Sequence, residues 1–169
     1  GMRAPLGEVH AWSVLFDVSE VSAGLDPTPA VEEVLAVAIE QGLVIDAALA
    51  ASERQAHDFW ALREHVPEAQ RSEGPSIKHD ISVAVSRIPA FIEQADPALR
   101  ALLPGVRIVC FGHVGDGNLH YNQSMPEGMG KADFLAVEQA MHALVHDTAV
   151  RLHGSISAEH GIGRLKLDA

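Results

Sequence analysis

Cations, cysteine and aromatic rings are all scarce in this sequence, and each scarcity excludes something. Lys and Arg number 12 against 23 Asp and Glu, a net charge of −11 over 169 residues with His neutral. Such a chain repels a phosphate backbone, and no Lys/Arg cluster opposes the repulsion, so nucleic acid and anionic membrane surfaces are poor partners. A small anionic substrate stays admissible, because a few placed cations decide that locally. One cysteine, Cys110, rules out an intrachain disulfide and suits a reducing cytoplasm. With aromatics at 5%, a core must rest on Val, Leu, Ile and Ala. No stretch is apolar and long enough to span a bilayer, and the N-terminus has no signal-peptide pattern. Gly1 ahead of Met2 reads as a residue left by tag cleavage before a natural start, which predicts a chain begun at its own initiator. Neither a Gly-x-Gly-x-x-Gly run nor a Gly-Lys-Ser/Thr run is present, so no phosphate cradle is expected.

What is present suits a globular protein of one domain or two small packed subdomains, with 47% hydrophobic and 21% charged residues. Residues 9–18 alternate, with Trp12, Val14, Phe16 and Val18 on one face, and predict a strand. Asp26-Pro27-Thr28-Pro29 opens a helix that Thr28 is placed to cap. That helix carries the stripe Val31, Val34, Leu35, Ala38 and Ile39, and Gly42 ends it. Residues 43–49 predict a strand. Ser52 to Gln55 has capping-box spacing for a second helix, which should stop before Pro67. Residues 77–85 alternate again, with Ile77, Ile81, Val83 and Val85 on one face and Lys78 and Asp80 on the other. Pro89 starts a helix that Pro97 should divide. Strands follow at 106–111 and 119–123, then a long helix over 131–153 and a short strand at 155–157. This order predicts an α+β fold of ferredoxin-like layers, a mainly antiparallel sheet with helices on one face, spanning residues 1–169 as one domain or two such subdomains.

The most informative run is Gly112-His113-Val114-Gly115-Asp116-Gly117-Asn118-Leu119-His120-Tyr121-Asn122. Read as a two-residue Asp116-Gly117 turn, it sets His113 opposite His120 on one face, with Asn122 two residues further along that face. Two imidazoles there supply half of the roughly four ligands a zinc ion needs. Glu159, in the Gly-flanked turn Ala158-Glu159-His160-Gly161-Ile162-Gly163, offers a carboxylate and leaves one coordination position open. The same residues also fit an ordinary hydrogen-bonded hairpin with Glu159 in water.

Other polar residues carry two readings each. Arg63 continues the helical stripe of Ala56 and Phe59, where a guanidinium either snorkels to water or grips a carboxylate with two parallel hydrogen bonds. Lys78 is a solvated strand lysine balanced by Asp80, or a substrate cation. His160 is a turn histidine, or a base with the right intrinsic pKa for proton transfer near neutrality. His142, His146 and His153 share one side of the long helix and read as its polar shoulder, although the first two have metal-compatible spacing. Cys110 reads as an inert core thiol.

At these residues the chain resembles the C-terminal domain of FAD-linked oxidases of the vanillyl-alcohol-oxidase type. The branch it resembles contains D-lactate dehydrogenase, D-2-hydroxyglutarate dehydrogenase and the glycolate oxidase flavin subunit. The matching runs are Trp60 to Glu64, Lys78 to Ser82, Phe111 to Asn122 and Ser157 to Gly163, in the family's order. The resemblance implies His113, His120 and Glu159 as ligands of a divalent metal, usually zinc. It implies Arg63, Lys78 and Asn122 around the substrate's carboxylate and oxygens, and His160 as the base for the α-hydroxyl proton. Pro67 departs from the pattern, standing where some members carry a hydroxyl. The sequence also contains neither the flavin-binding half that comes first in the family nor the segment that follows Lys166.

The implied activity is oxidation of a small D-2-hydroxy acid to the 2-oxo acid, with FAD supplied only through a separate domain or partner chain. The isolated chain is then expected to be inactive, and a surface that meets a flavin half is expected to recruit that partner or a second copy. Two other readings compete: a non-catalytic module that binds metal and hydroxy acid, and a zinc hydrolase using the same ligands.

Overall fold

The computed structural model describes residues 5–19 and 26–158. Two compact units divide the chain, residues 1–67 and 68–169. In the first unit, helix α1 (Thr28–Glu40) begins at the predicted turn, but Thr28 does not cap it: Pro27 is the N-cap, and the Asp26 carboxylate accepts the Thr28 N–H at 3.0 Å. Helix α2 (Glu53–Glu64) is capped by Ser52, which accepts from the Gln55 N–H at 3.3 Å. The Gln55 side chain reaches back to the Ala51 N–H at 2.8 Å, one residue before the position a capping box uses. The strands predicted at 9–18 and 43–49 do not form. No ladder among the described residues pairs with either segment, so no neighbouring strand takes up their backbone N–H and C=O groups. Trp12, Val14, Phe16 and Val18 are accordingly exposed.

The second unit opens within helix α3 (Val66–Ser72), which accommodates Pro67 in its first turn. Strands β1 (Ser76–Ile77) and β2 (Asp80–Ser82) both pair antiparallel with β4 (Asn118–Ser124). They keep one register, with Ile77 facing Gln123 and Asp80 facing His120. They are two ends of one strand, interrupted at Lys78-His79, where the Asn122 carboxamide accepts the His79 N–H at 3.2 Å in place of a backbone carbonyl. Strand β3 (Arg107–Phe111) pairs antiparallel with the other edge of β4. The strand expected at 155–157 is reduced to a single antiparallel bridge between Ser155 and Ser82. Taken across the sheet, the order is the Ser155 bridge, β2, β4 and β3. With helix α4 (Ile88–Leu102) after β2, and helices α5 (Lys131–Ala136) and α6 (Glu138–Arg151) after β4, this is the ferredoxin-like β-α-β-β-α-β arrangement.

Alternation along β4 and its partners sorts side chains by face. Ile77, Ile81, Leu119 and Tyr121 are buried on one face with Phe91, Ala95 and Leu99 of α4 and Met141, Val145 and Ala149 of α6. Each large apolar side chain buried this way stabilises the fold by about 1.5–3 kcal/mol. Val85, predicted on the same face, lies instead in a short 3-10 turn and is exposed. Helix α4 runs through Pro97 unbroken. That residue is exposed, so the carbonyl deprived of its usual partner can take water while the buried face stays in register. The long helix is divided at Val137.

Tyr121 is fully buried, packs edge-on against Phe91 at 5.0 Å between ring centres, and donates its hydroxyl to Asp96 of α4. Burial, with the adjacent Asp96 carboxylate, holds the phenol in its protonated form far above the usual range. Cys110 is a free thiol pushed up to about 12, chiefly by burial and secondarily by the charge of Asp96. Helix α6 ends with His153 at φ 60° and a bond from the Gly154 N–H to the Ala149 carbonyl at 2.8 Å, a Schellman closure. The left-handed position thus falls on histidine. The glycine sits one residue later because a Cβ there would collide with the Ser82 carbonyl oxygen.

Two outcomes follow from these contacts. Tyr121→Phe should lower unfolding free energy in urea by about 1–2 kcal/mol, since it strips Asp96 of its buried donor without opening a cavity. An unchanged midpoint would mean that this bond adds nothing. Exposed His153→Gly should raise stability by up to about 1 kcal/mol by removing the left-handed strain. A lower melting temperature for this variant would show that the imidazole contributes more than its backbone costs.

Candidate metal and substrate site

On the face of the sheet opposite α4 and α6, β2 and β4 present Asp80, Asn118, His120 and Asn122. Asp80 is the organising group, only 8% exposed. One carboxylate oxygen accepts from the Asn118 side chain at 2.8 Å and lies 3.7 Å from His120 Nδ1, across the strand pair. The other accepts from the Ala158 N–H at 3.3 Å, and the Asp80 backbone carbonyl accepts from the same N–H at 3.2 Å. The residue immediately before Glu159 is therefore fastened beside the carboxylate that faces His120. With Nδ1 turned to Asp80, His120 shows the arrangement in which a carboxylate fixes the orientation of a ligating imidazole. The donor chemistry here fits a divalent metal.

The hairpin register differs from the sequence expectation. Phe111, not His113, faces His120, and the two rings lie 4.9 Å apart. The connection is a loop with a 3-10 turn at Val114–Asp116, closed by the bond from the Asn118 N–H to the His113 carbonyl at 3.2 Å. His113 is exposed at the start of that turn. The two-residue turn fails because Gly117, at φ 69°, is pressed so close to β2 that a Cβ would meet the Val83 carbonyl oxygen, and the chain needs the longer loop to reach that position.

Asn122 is buried with both ends of its carboxamide engaged. Its oxygen accepts from the His79 N–H, and its nitrogen donates to the Gln70 side chain at 2.9 Å. Gln70 in turn donates to Ser124 at 3.3 Å. Lys78 is exposed and by alternation falls on the face of Asp80. Arg63, in the last turn of α2 in the first unit, is half-buried along the predicted stripe with Ala56 and Phe59. Glu159 and His160, expected as ligand and base, lie outside the described residues.

Two groups escaped the sequence reading. Asp80 reads in the sequence only as a counter-charge to Lys78, because its partner His120 is set by the β2–β4 register. His79 is hidden within an apolar alternation, although a histidine between Ile77 and Ile81 is itself a signal. It meets His142 and His146 of α6 to form a cluster able to hold a metal ion. The helix shoulder expected at His142 and His146 is therefore turned inward, with His146 buried and His142 half-buried, and His153 is not part of this cluster.

The comparisons agree with this architecture. Residues 7–169 match the family described as FAD linked oxidases, C-terminal domain. A D-2-hydroxyglutarate dehydrogenase of Xanthomonas citri pv. viticola is 39% identical over 167 residues, covering 98% of this chain and 34% of the relative. One from Stutzerimonas stutzeri is 42% identical over 130 residues, covering 77% of this chain and 28% of the relative. The mitochondrial D-2-hydroxyglutarate dehydrogenase of Rattus norvegicus is 35% identical over 150 residues, covering 89% and 26%. The chain thus spans about a third or less of the length of the relatives it matches. With a match over nearly its whole length and a ferredoxin-like sheet carrying the polar histidine-bearing face, the chain belongs to the family of FAD-linked oxidase C-terminal domains.

Proposed function

We propose that this chain is the substrate- and metal-binding part of an FAD-dependent dehydrogenase that oxidises D-2-hydroxyglutarate, or a closely similar D-2-hydroxy acid, to the 2-oxo acid. The observation that carries the reading is the Asp80–His120 pair with Ala158 bonded to Asp80, because it draws one proposed ligand and the residue preceding another to the same carboxylate. The names of the relatives favour the dicarboxylate over lactate or glycolate.

His113, His120 and Glu159 would hold the cation, with zinc as its identity. A divalent cation there supplies Lewis acidity toward the hydroxyl and carboxylate of the substrate. The flavin, carried by another domain or a partner chain, supplies the two-electron acceptor. Arg63 and Lys78 neutralise substrate carboxylate, Arg63 through its two-pronged donor geometry. Asn122 orients substrate oxygen, which requires its carboxamide to exchange one of its present partners. His160 takes the hydroxyl proton. Asp80 fixes the orientation of the His120 ring as a ligand. The exposed Trp12, Val14, Phe16 and Val18 support a further protein surface in the working enzyme, either the flavin-bearing partner or a second copy. The single cysteine suits placement in the cytoplasm.

Titration calorimetry on tag-free protein tests the site. Zinc-loaded chain should bind D-2-hydroxyglutarate in preference to its L enantiomer. His120→Ala and His113→Ala should each abolish that metal-dependent binding, and dye reduction should appear when the flavin-bearing partner is added. Hydroxy-acid binding that survives chelation and both substitutions would remove the basis of the reading. Asp80→Asn should weaken zinc at this site by about 10–100-fold while metal-free protein keeps its secondary structure. Unchanged zinc affinity would show that Asp80 does not orient His120.

A further inference from the structure

His79 and Asp80 are neighbours in sequence and point to opposite faces of the sheet, so the cluster of His79, His142 and His146 lies on the helix-covered side, away from His120. The geometry points to a second divalent-metal site formed by these three histidines, of the imidazole-rich class that takes zinc or another first-row transition cation. It is independent of the proposed catalytic site and shares no ligand with it.

Three observations meet here. First, one ring nitrogen from each residue lies within 4.8 Å of the other two. Tetrahedral zinc with bonds of about 2.0–2.1 Å needs nitrogens about 3.3 Å apart, so closure takes shifts of about 1 Å. Second, the rings are already arranged for it. His79 stands edge-on to both partners, with centres at 4.7 Å from His142 and 5.6 Å from His146, while His142 and His146 stack at 5.7 Å. Their spacing of four residues on α6 sets the two rings on one side of the helix.

Third, His79 has an acceptor of the kind that fixes a ligating imidazole, and a carboxylate lies near the outer nitrogen of His142. His79 Nδ1 is 3.0 Å from the Tyr121 carbonyl, which can only accept, so Nδ1 carries the proton and Nε2 turns its lone pair inward. That Nε2 is 2.8 Å from His142 Nδ1. His142 Nε2 lies 3.8 Å from the Glu138 carboxylate. When a cation enters, the His142 proton moves from Nδ1 to Nε2, on the side of the Glu138 carboxylate, and neither His79 nor His142 needs to turn over.

The site joins the strand at residue 79 to helix α6, two elements far apart in sequence. Its occupation should therefore register as stability of the folded state. His79 and His146 are buried, while the half-exposed side of His142 gives an ion its way in.

The test uses tag-free chain carrying His113→Ala and His120→Ala, so that zinc at the proposed catalytic site cannot contribute. Zinc should still bind at one ion per chain, raise the thermal midpoint, and show about three imidazoles by X-ray absorption. Adding His142→Gln should lower this affinity at least tenfold and cancel the thermal shift, and His146→Gln should do the same. His142 is half-exposed, so its glutamine variant decides the matter even if His146→Gln does not fold. Absence of zinc binding in the double-alanine background overturns the inference, as does binding that His142→Gln leaves unchanged. Either result leaves the His120-centred reading intact, and loss of the His120 site would leave this one intact.

Discussion

Side chains alternate across the antiparallel ladder of β4, and that alternation governs nearly everything else in the second unit. Ile77, Ile81, Leu119 and Tyr121 fall on one side and are sealed by α4 and α6. Asp80, Asn118, His120 and Asn122 fall on the other. The same rule separates two histidine groups that sequence proximity would merge: His79 belongs to the core face and Asp80, its neighbour, to the polar one. A slip of one residue in the pairing of β2 with β4 would exchange the two sets. It would bury a carboxylate among aliphatic side chains, which no local rearrangement could offset.

The buried carboxylate and carboxamides of the polar face are drawn into side-chain hydrogen bonds, as their burial demands. Gln70, Asn122 and Ser124 form a chain of side-chain bonds, and Asp80 collects Asn118, Ala158 and His120 around one carboxylate. Such a network constrains where the polypeptide can run. The bonds from Ala158 to Asp80 and the bridge from Ser155 to Ser82 carry the chain back to the strand that faces His120, immediately before the Glu-His pair that the family resemblance marks as ligand and base. Glycine is required where backbone approaches backbone: Gly112 against Asn118, Gly117 against Val83, and Gly154 against Ser82, the last on the path of this return.

Much of the second unit was legible in the sequence because its signals were local. The alternation at 77–83, the strands at 106–111 and 119–123 and the apolar stripe of α6 each reflect a single element's own burial. The errors came where a neighbour decides. Residues 9–18 alternate as a strand should, yet lack a pairing partner among the described residues. Pro97 faces solvent, so α4 tolerates it. The Asp116-Gly117 pair favours a tight hairpin, but β2 claims the Gly117 carbonyl through the Val83 N–H, and the turn opens into a loop.

By itself the sequence determined the α+β class, the family and the inventory of chemistry: an acidic chain with its histidines concentrated in the hairpin, on the last long helix and in the glycine-rich turn. These follow from residue type and spacing, which a single chain displays directly. Tertiary structure alone decided which groups meet. Asp80 finds His120 through a strand pairing forty residues long in sequence, and His79 finds His142 and His146 through the docking of α6 on the sheet. Contacts of that separation are fixed by packing of whole elements against a common core, and no periodicity within one segment encodes them.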